Sequence, residues 1–431
     1  MSITTRRGRL SPQNAYARWT EACAAAGWRG SPVPEKVHVA DGLDRVLAEP
    51  VQARWPSPRC DCAAMDGIAM AGPAATGEVI PATAFAWVDT GDPVPAWADT
   101  VVAREQTQIR SDGSAVVTAP ARRGLNVRTR GEDFAVGARL VPAGRRLRPA
   151  DLAAAAAAGH TTLLVTRQPV VAIVPTGDEV RPVGTPLGRG DIVDSNSVML
   201  AARAAQAGAW TAVSEVQPDD PTAIAAAVRR AAAVADLVLV LAGSSVGRHD
   251  HTAAVLREVG AETVHGVAVR PGHPVLLGHA RAGQRGQGEV PGGQRVPGPR
   301  HAAVPVIGVP GYPLAAAVIF ELFGVPVLAA LHGRPVPGPG DAQLAVLDCG
   351  WTSAPDVEEW IPVTLSAASA PVTLPLATPC KGRGAGTLSR LVYADAWWRH
   401  PIGQGQIHRG DLIEVFPTAG TPEFPITRTD G

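Results

Sequence analysis

Several stretches of this chain place residues together that can do chemistry. The apolar run Leu237–Ala242, bounded by Asp236, passes into Gly243-Ser244-Ser245-Val-Gly247-Arg248-His-Asp250. Gly243, Ser244, Ser245 and Gly247 let a backbone approach a ligand closely and leave N–H groups for an anion, while Asp250 adds a carboxylate to the same rim. An ordinary strand-to-helix turn has the same composition. Gly308-Val-Pro310-Gly311-Tyr-Pro313 is a rigid turn before an apolar helix, and the positive end of that helix suits a phosphate. Asp66-Gly67 is a turn dipeptide that would hold its carboxylate at an exposed bend. In Asn126-Val-Arg128-Thr-Arg130-Gly-Glu132-Asp133, two alternate arginines could clasp a phosphate, and pairing with Glu132 and Asp133 is the favoured alternative. Cys60 and Cys62 would share one strand face. A metal site needs further ligands of matching spacing, which this stretch does not supply, so buried or incidental thiols are expected.

The elements that must hold these residues follow from the hydrophobic pattern. Up to residue 53 there is one helical segment, from Pro12 to Gly27, and a turn around Asp41. Residues 83–141 show short β-like runs such as Thr100-Val-Val-Ala, broken by Gly, Pro and Asp. Pro149 to Ala158 is helical by propensity, with Gly159 as its stop. From Val170 strands and helices alternate, which predicts a parallel sheet covered on both faces with ligands at the carboxyl ends of its strands. Pro175-Thr-Gly-Asp-Glu179 and residues 243–250 fall at two such ends. One polar residue of Asp194-Ser-Asn-Ser should cap the next helix, and Asp220 before Pro221 should cap another. The helix from Leu314 to about Phe323 should break or kink at Gly324 and Pro326. Residues 281–300, rich in Gly, Gln, Pro and Arg, are read as a mobile loop without a fold of its own. Past a linker at 333–340, runs at Leu344, Trp360, Leu388 and Leu412 suggest a small barrel or sandwich. Lys381-Gly-Arg-Gly-Ala-Gly-Thr could bind an anion or form a hairpin tip.

Composition limits the function classes. A chain of 431 residues with 46% hydrophobic residues should hold several domains with real cores, mostly aliphatic because aromatics make up 4%. Lys plus Arg and Asp plus Glu balance at 39 each, so no global field draws the chain to nucleic acid or a membrane surface. Five cysteines do not make a disulfide framework, and no apolar run is read as transmembrane. A cytoplasmic protein is expected. The histidines His249, His251, His265, His273 and His279 match no compact ligand spacing, and scattered surface residues are expected.

The ordered set of motifs resembles the molybdopterin molybdenumtransferase family, which includes the gephyrin E domain. The matching pieces are Ala64-Met-Asp66-Gly-Ile-Ala, Thr90-Gly-Asp-Pro-Val-Pro, Glu105, Asn126-Val-Arg, Gly131-Glu-Asp133, Pro175-Thr-Gly-Asp-Glu179 and Asp191-Ile-Val-Asp-Ser-Asn196. They continue with Asp219-Asp-Pro, Gly243-Ser-Ser-Val-Gly with Asp250, Arg270-Pro-Gly-His273-Pro and Gly308 to Pro313. The resemblance implies a multidomain α/β and β fold. Its parts would be an elongated N-terminal domain split over 8–52 and 144–168, an inserted β-rich domain at 53–143, a molybdopterin-binding α/β domain at 169–332 and a C-terminal β-barrel-like domain at 333–424. It also implies a homodimer whose active site lies between the α/β domain of one subunit and the inserted domain of the other.

By the same resemblance the reaction is magnesium-dependent insertion of molybdate into adenylylated molybdopterin, with release of AMP. Asp66, Asp133, Glu179 and Asp250 would be catalytic, with Asp66, Glu179 and Asp250 able to hold Mg²⁺ through carboxylate oxygens. Thr90 would face molybdate and Asp219 the nucleotide. Gly243, Ser244, Ser245, Gly247, Arg270, His273, Pro310, Gly311 and Pro313 would bind the rest of the substrate. The chain departs from the family where lysines are usual, at Ala253, Gly266, Arg270 and His273, and has Tyr312 where asparagine is usual. Fewer fixed charges predict weaker anion affinity, or charge supplied by Arg248 or residues 281–300. A carrier that binds the pterin without inserting metal is the alternative.

Overall fold

The computed structural model describes residues 9–242, 251–283, 287–290, 294–297, 301–335, 342–367, 374–382 and 384–418. It forms two compact units: residues 34–166, and residues 1–33 with 167–431.

The chain begins with helix α1, Pro12–Ala25, whose Ser11 side chain accepts from the Asn14 N–H and whose proline lies in the first turn. Ala15, Trp19 and Cys23 on its inner face are fully buried with the α/β core, and the Trp19 indole N–H donates to the Gly278 carbonyl at 2.6 Å. The expected split domain began at residue 8, but α1 lies with the α/β unit, because Trp19 finds its partner and its apolar pocket there.

In the unit of residues 34–166, the strands Pro34–His38 and Thr162–Thr166 pair antiparallel, and Val51–Gln52 pairs with Arg139–Val141. Helix α2, Pro149–Ala157, closes this end over Leu47, Val51, Val141, Leu147, Ala155, Leu163 and Val165. Between these segments lie two three-stranded antiparallel sheets. One has the order Phe85–Val88, Gly67–Met70, Thr100–Ala103. The other has the order Val79–Ile80, Ala115–Val117, Thr107–Ile109. Ile68, Met70, Ile80, Val102 and Val117 fill the space between them. Gly67 is needed for close approach rather than for a turn: a Cβ there would lie 2.0 Å from the Val102 carbonyl oxygen. Asp66 still occupies the exposed bend just before it.

In the other unit a six-stranded sheet runs in the order Trp210–Val213, Val170–Pro175, Leu237–Ala242, Ala303–Pro310, Leu276–Arg281, Gly260–His265. The first four strands are parallel, and Leu276–Arg281 is antiparallel to both of its neighbours. Helices α3, Ser195–Gln206, and α4, Pro221–Ala232, begin at the Asp194 and Asp220 caps, each carboxylate accepting an N–H three residues on. Alpha4 and α5, Thr252–Val259, cover one face over Val170, Val238 and Val306, while α1 and α3 cover the other over Val171, Leu239 and Ile307. Burial of such a side chain contributes about 1.5–3 kcal/mol, so the strand-end geometry rests on a stiff base.

The expected break at Gly324 and Pro326 is absorbed instead. Helix α6, Pro313–Ile319, passes through a π-helical turn, Phe320–Gly324, into α7, Val325–Leu331. The wider turn accommodates the proline, which stands near the start of α7 where its missing N–H costs little. This 19-residue rod is long and apolar enough to cross a membrane, contrary to the expectation that no run is, yet 67% of it is buried within the protein, as for a core helix.

The C-terminal strands Glu358–Ser366, Leu376–Pro379, Gln343–Leu347, Leu412–Pro417 and Ala396–His400 pair in that order and back to the first, closing a five-stranded barrel around Leu347, Ile361, Val363, Trp398 and Val415. Two expectations fail. Leu388 to Tyr393, expected as a strand, contains helix α8, Ser389–Tyr393; an apolar run this short does not reveal its period, and Val392 and Tyr393 face solvent. Residues 281–300 are not without a fold, because Gln287–Val290 and Gln294–Pro297 pair as an antiparallel hairpin.

Candidate functional site

The carboxyl edge of the parallel sheet collects the first group of expected residues. In register Pro175 lies beside Leu241, and Ala242 beside Pro310, so three strands end level. The chain leaves Val170–Pro175 for the strand on one side and returns to Leu237–Ala242 on the other, so the topology switches between these two strands, where α/β sheets bind ligands. The Thr176 N–H and hydroxyl both reach the Leu241 carbonyl at 2.9 Å. Gly177, at φ +138°, bends the chain outward, and the exposed Glu179 follows it. A Cβ on Gly177 would meet Val180 at 2.7 Å and Glu179 Oε2 at 3.1 Å. The Asp178 carboxylate accepts the Asp219 N–H at 3.2 Å, which ties two of the expected stretches to one rim.

Gly311 and Pro313 sit at the end of the Ala303–Pro310 strand. Asn196 Nδ2 donates to the Gly311 carbonyl at 2.7 Å, while its Oδ1 is buried with no hydrogen-bond partner among the described residues. The Leu314 N–H donates to the Ala385 carbonyl at 3.1 Å. The glycine-rich Lys381–Thr387 segment therefore takes one of the first free N–H groups of α6, and the anion site expected at that turn has one donor fewer. Arg270 and His273 are exposed on the 266–275 turn, which leaves the same edge three to four strands from Val170–Pro175, about 14–19 Å away. With Arg9 and Asp356 they flank a cleft of about 190 Å³. Gly243, Ser244, Ser245, Gly247 and Asp250 lie outside the described residues, as does Arg248.

The second group lies in residues 34–166. Asp66 Oδ1 accepts both the Thr90 N–H and the Thr90 hydroxyl at 2.7 Å. These two bonds, with a weaker contribution from the Arg104 charge, hold the Asp66 carboxyl below its ordinary value against a small opposing effect of burial. Residues 24 apart in sequence thus form one polar point. The loop is stitched on by backbone bonds from Gly91 N–H to the Ala63 carbonyl, Ala63 N–H to Asp92 and Val94 N–H to Asp61. Val127–Arg128 pairs with Cys62–Ala63, which adds the third motif to the same edge. Arg128 Nε donates to Glu132 Oε1 at 2.6 Å, so the structural pairing holds for Arg128, and this bond raises the Arg128 pKa, with Asp133 adding to the effect. Arg130 contributes its backbone N–H to Asp61 Oδ1 at 2.7 Å. Asp133 is exposed on this loop, its N–H bound to the Ser57 carbonyl at 3.1 Å. Cys60 is exposed and Cys62 half-buried, so of the buried or incidental thiols expected, the buried alternative does not hold.

The carboxylates offered on the two edges, Asp66 and Asp133 on one and Glu179 on the other, are oxygen donors. Among the described residues no three or more His, Cys, Asp or Glu side chains gather to hold a metal. Mg²⁺, which uses one or two carboxylates with substrate phosphates and water, is compatible with the exposed Asp66 or Glu179. Sequence reasoning missed Asn196, Asp178, Arg104 and Ala385 as contributors. Asn196 stood within a recognised motif, but the Ala385 contact is made by a backbone carbonyl and leaves no side-chain signal. A larger apolar cavity of about 750 Å³ lies away from the strand ends, between α1, α3 and the barrel, lined by Tyr16, Phe320, Trp360, Trp397 and Phe416.

The chain matches three family models in order: the MoeA N-terminal region (domain I and II) over residues 10–159, a probable molybdopterin binding domain over 172–330, and the MoeA C-terminal region (domain IV) over 345–418. A molybdopterin molybdenumtransferase of Nostoc sp. is 32% identical over 313 residues, 67% of this chain and 67% of its own length. That of Synechococcus elongatus is 29% identical over 416 residues, 88% of this chain and 94% of its own. The solved molybdopterin biosynthesis MoeA protein from Pyrococcus horikosii is similar with a TM-score of 0.72 at 28% identity, covering 95% of this chain and 99% of that one.

Proposed function

Because the chain belongs to the molybdopterin molybdenumtransferase family, we propose that it inserts molybdate into adenylylated molybdopterin and releases AMP. The observation that supports this most is the carboxyl edge of the parallel sheet, where Glu179, Asp219 and the Gly311 turn line one rim. A rim this long suits an extended pterin nucleotide, with Arg270 and His273 toward one end. Asp219 faces the nucleotide.

On the other unit Thr90 presents a hydroxyl toward molybdate, and its two bonds fix the position of the Asp66 carboxylate. An ionised carboxylate can accept the thiol protons of the dithiolene and pass them to the departing oxide, which leaves as water. Asp133 and Asp250 are further acids for this proton traffic. Asp66, Glu179 or Asp250, together with substrate oxygens, would hold Mg²⁺, which would supply charge neutralisation at the phosphates. We read the protein as a cytoplasmic homodimer, for which light scattering should give twice the chain mass of 44.5 kDa.

The deciding experiment is AMP release by the purified protein given adenylylated molybdopterin and Mg²⁺, with and without molybdate. Molybdate-dependent AMP release is expected, with loss of activity on chelation of Mg²⁺. Tight pterin binding without release would replace this reading with a carrier. The uncharged Gly266 and Ala253, at positions where the resemblance leads one to expect lysine, favour that second outcome.

A further inference from the structure

We propose that Cys60 and Cys62 form a bidentate thiolate site for a soft, thiophilic d¹⁰ cation, Cu(I). The two sulfurs lie 3.7 Å apart on the edge of the inserted β region. A three-coordinate metal ion with metal–sulfur bonds of ~2.3 Å and angles of about 120° sets two of its sulfurs about 4.0 Å apart, so the pair already has close to the span of a chelate. Both cysteines are free, and the chain holds them by other means than a disulfide. Cys62 lies in the Cys62–Ala63 strand directly opposite Arg128. Cys60 precedes that strand on the exposed side of the same bend.

The missing ligands decide which ion fits. Four-coordinate zinc needs two more protein donors, and no group of three or more metal-binding side chains occurs among the described residues. Cu(I) is selected by soft thiolates, and two sulfurs, with room for an exogenous third ligand, suffice. The neighbouring Asp61 and Asp66 carboxylates are hard oxygen donors and compete poorly for a soft cation. Binding replaces two S–H protons by one cation, so Cu(I) and the dithiol give a bis-thiolate copper anion and two protons. No electron is transferred. The chelate is carried by the segment whose backbone also holds the Thr90 loop, through Ala63 and Asp92. A soft-donor site thus adjoins the hard-oxygen point at Asp66 without sharing a residue with it.

The test uses the reduced full-length protein without oxygen, titrated with Cu(I) against a chromophoric Cu(I) chelator while proton release is followed. One equivalent of Cu(I) should leave the chelator, with about two protons released. Removing one sulfur leaves a monodentate ligand, so Cys60→Ser and Cys62→Ser should each weaken binding by at least about 10²-fold. Cys349→Ser/Cys380→Ser should bind as the parent does. The proposal is overturned if the parent takes no Cu(I) from the chelator. It is equally overturned if Cys60→Ser/Cys62→Ser binds as tightly as the parent. Circular dichroism of each variant reports folding separately, and because the readout is metal binding alone, it does not depend on the pterin reaction.

Discussion

The two rims are held by opposite means. At the sheet edge, rim residues ride on the ends of fully buried parallel strands, and Pro175, Leu241 and Pro310 keep level because Ile173, Leu239 and Ile307 are locked in the layers beneath them. At the Asp66 edge, three surface segments are tied to one another by side-chain and backbone hydrogen bonds with little core below: Ala63, Ala69, Val88 and Val101 form a cluster of only four buried residues. The difference teaches where each rim is vulnerable. The first should fail when packing far from it fails, and the second when a single polar contact is removed.

The largest expected effect breaks the first rim from below. Trp19→Ala removes a fully buried indole and its bond to Gly278, and large-to-small core changes of this kind cost about 3–5 kcal/mol. Urea unfolding followed by intrinsic fluorescence or circular dichroism measures the loss. A cost below about 1 kcal/mol would show that α1 does not support the sheet.

Asp66→Ala should do the reverse. On the proposed function, molybdate-dependent AMP release should fall by about 10²-fold or more, equivalent to roughly 2.7 kcal/mol of barrier, with little change in melting temperature because the side chain is exposed. A large drop in melting temperature would mean that Asp66 holds the fold instead. Thr90→Val sharpens this point by removing the hydroxyl bond while leaving the backbone bond, and a rate loss of about 10-fold is expected. An unchanged rate would remove the Thr90 hydroxyl from the site.

The smallest effect tests whether single polar contacts also matter away from either rim. Burial works against the ionised Asp151 carboxyl, but hydrogen bonds from the Arg148 side chain and backbone and the charges of Arg145 and Arg148 outweigh it, so its pKa is lowered on folding. A lowered folded-state pKa stabilises above the unfolded value and loses that stabilisation as pH falls through the folded value. Asp151→Asn should therefore cost about 1 kcal/mol at pH 7 as a weakened helix start. The gap to the parent should narrow as pH falls below about 4, where the unfolded carboxyl takes up its proton, and go on narrowing until the folded carboxyl does so at lower pH. A gap that stays constant with pH would show that the charge of Asp151 is not what matters.

The elements most legible in the sequence were those whose own residues supply the cause. Leu237–Ala242 is apolar at every position and became a strand whose residues Leu237 to Leu241 are buried on both faces. Asp220 before Pro221 is a start signal complete in itself, and the helix starts there. Leu388 to Tyr393 misled because its fate depends on neighbouring barrel strands rather than on its own pattern. Of the candidate site, the acids and glycine turns were visible as motifs, but their company was not: nothing in the spacing of Asp66 and Thr90 says that one carboxylate oxygen takes both donors of the other.

By itself, then, the chain determined its element types, its caps and the motif order that marks its family, because these depend on near neighbours and on hydrophobic period. Tertiary structure decided that α1 joins the α/β core, that a π turn absorbs Pro326, that Ala385 occupies an N–H of α6, and that Cys60 and Cys62 face each other 3.7 Å apart. Each of these is a meeting of atoms set by packing and backbone register, and local propensity carries no information about which distant groups will meet.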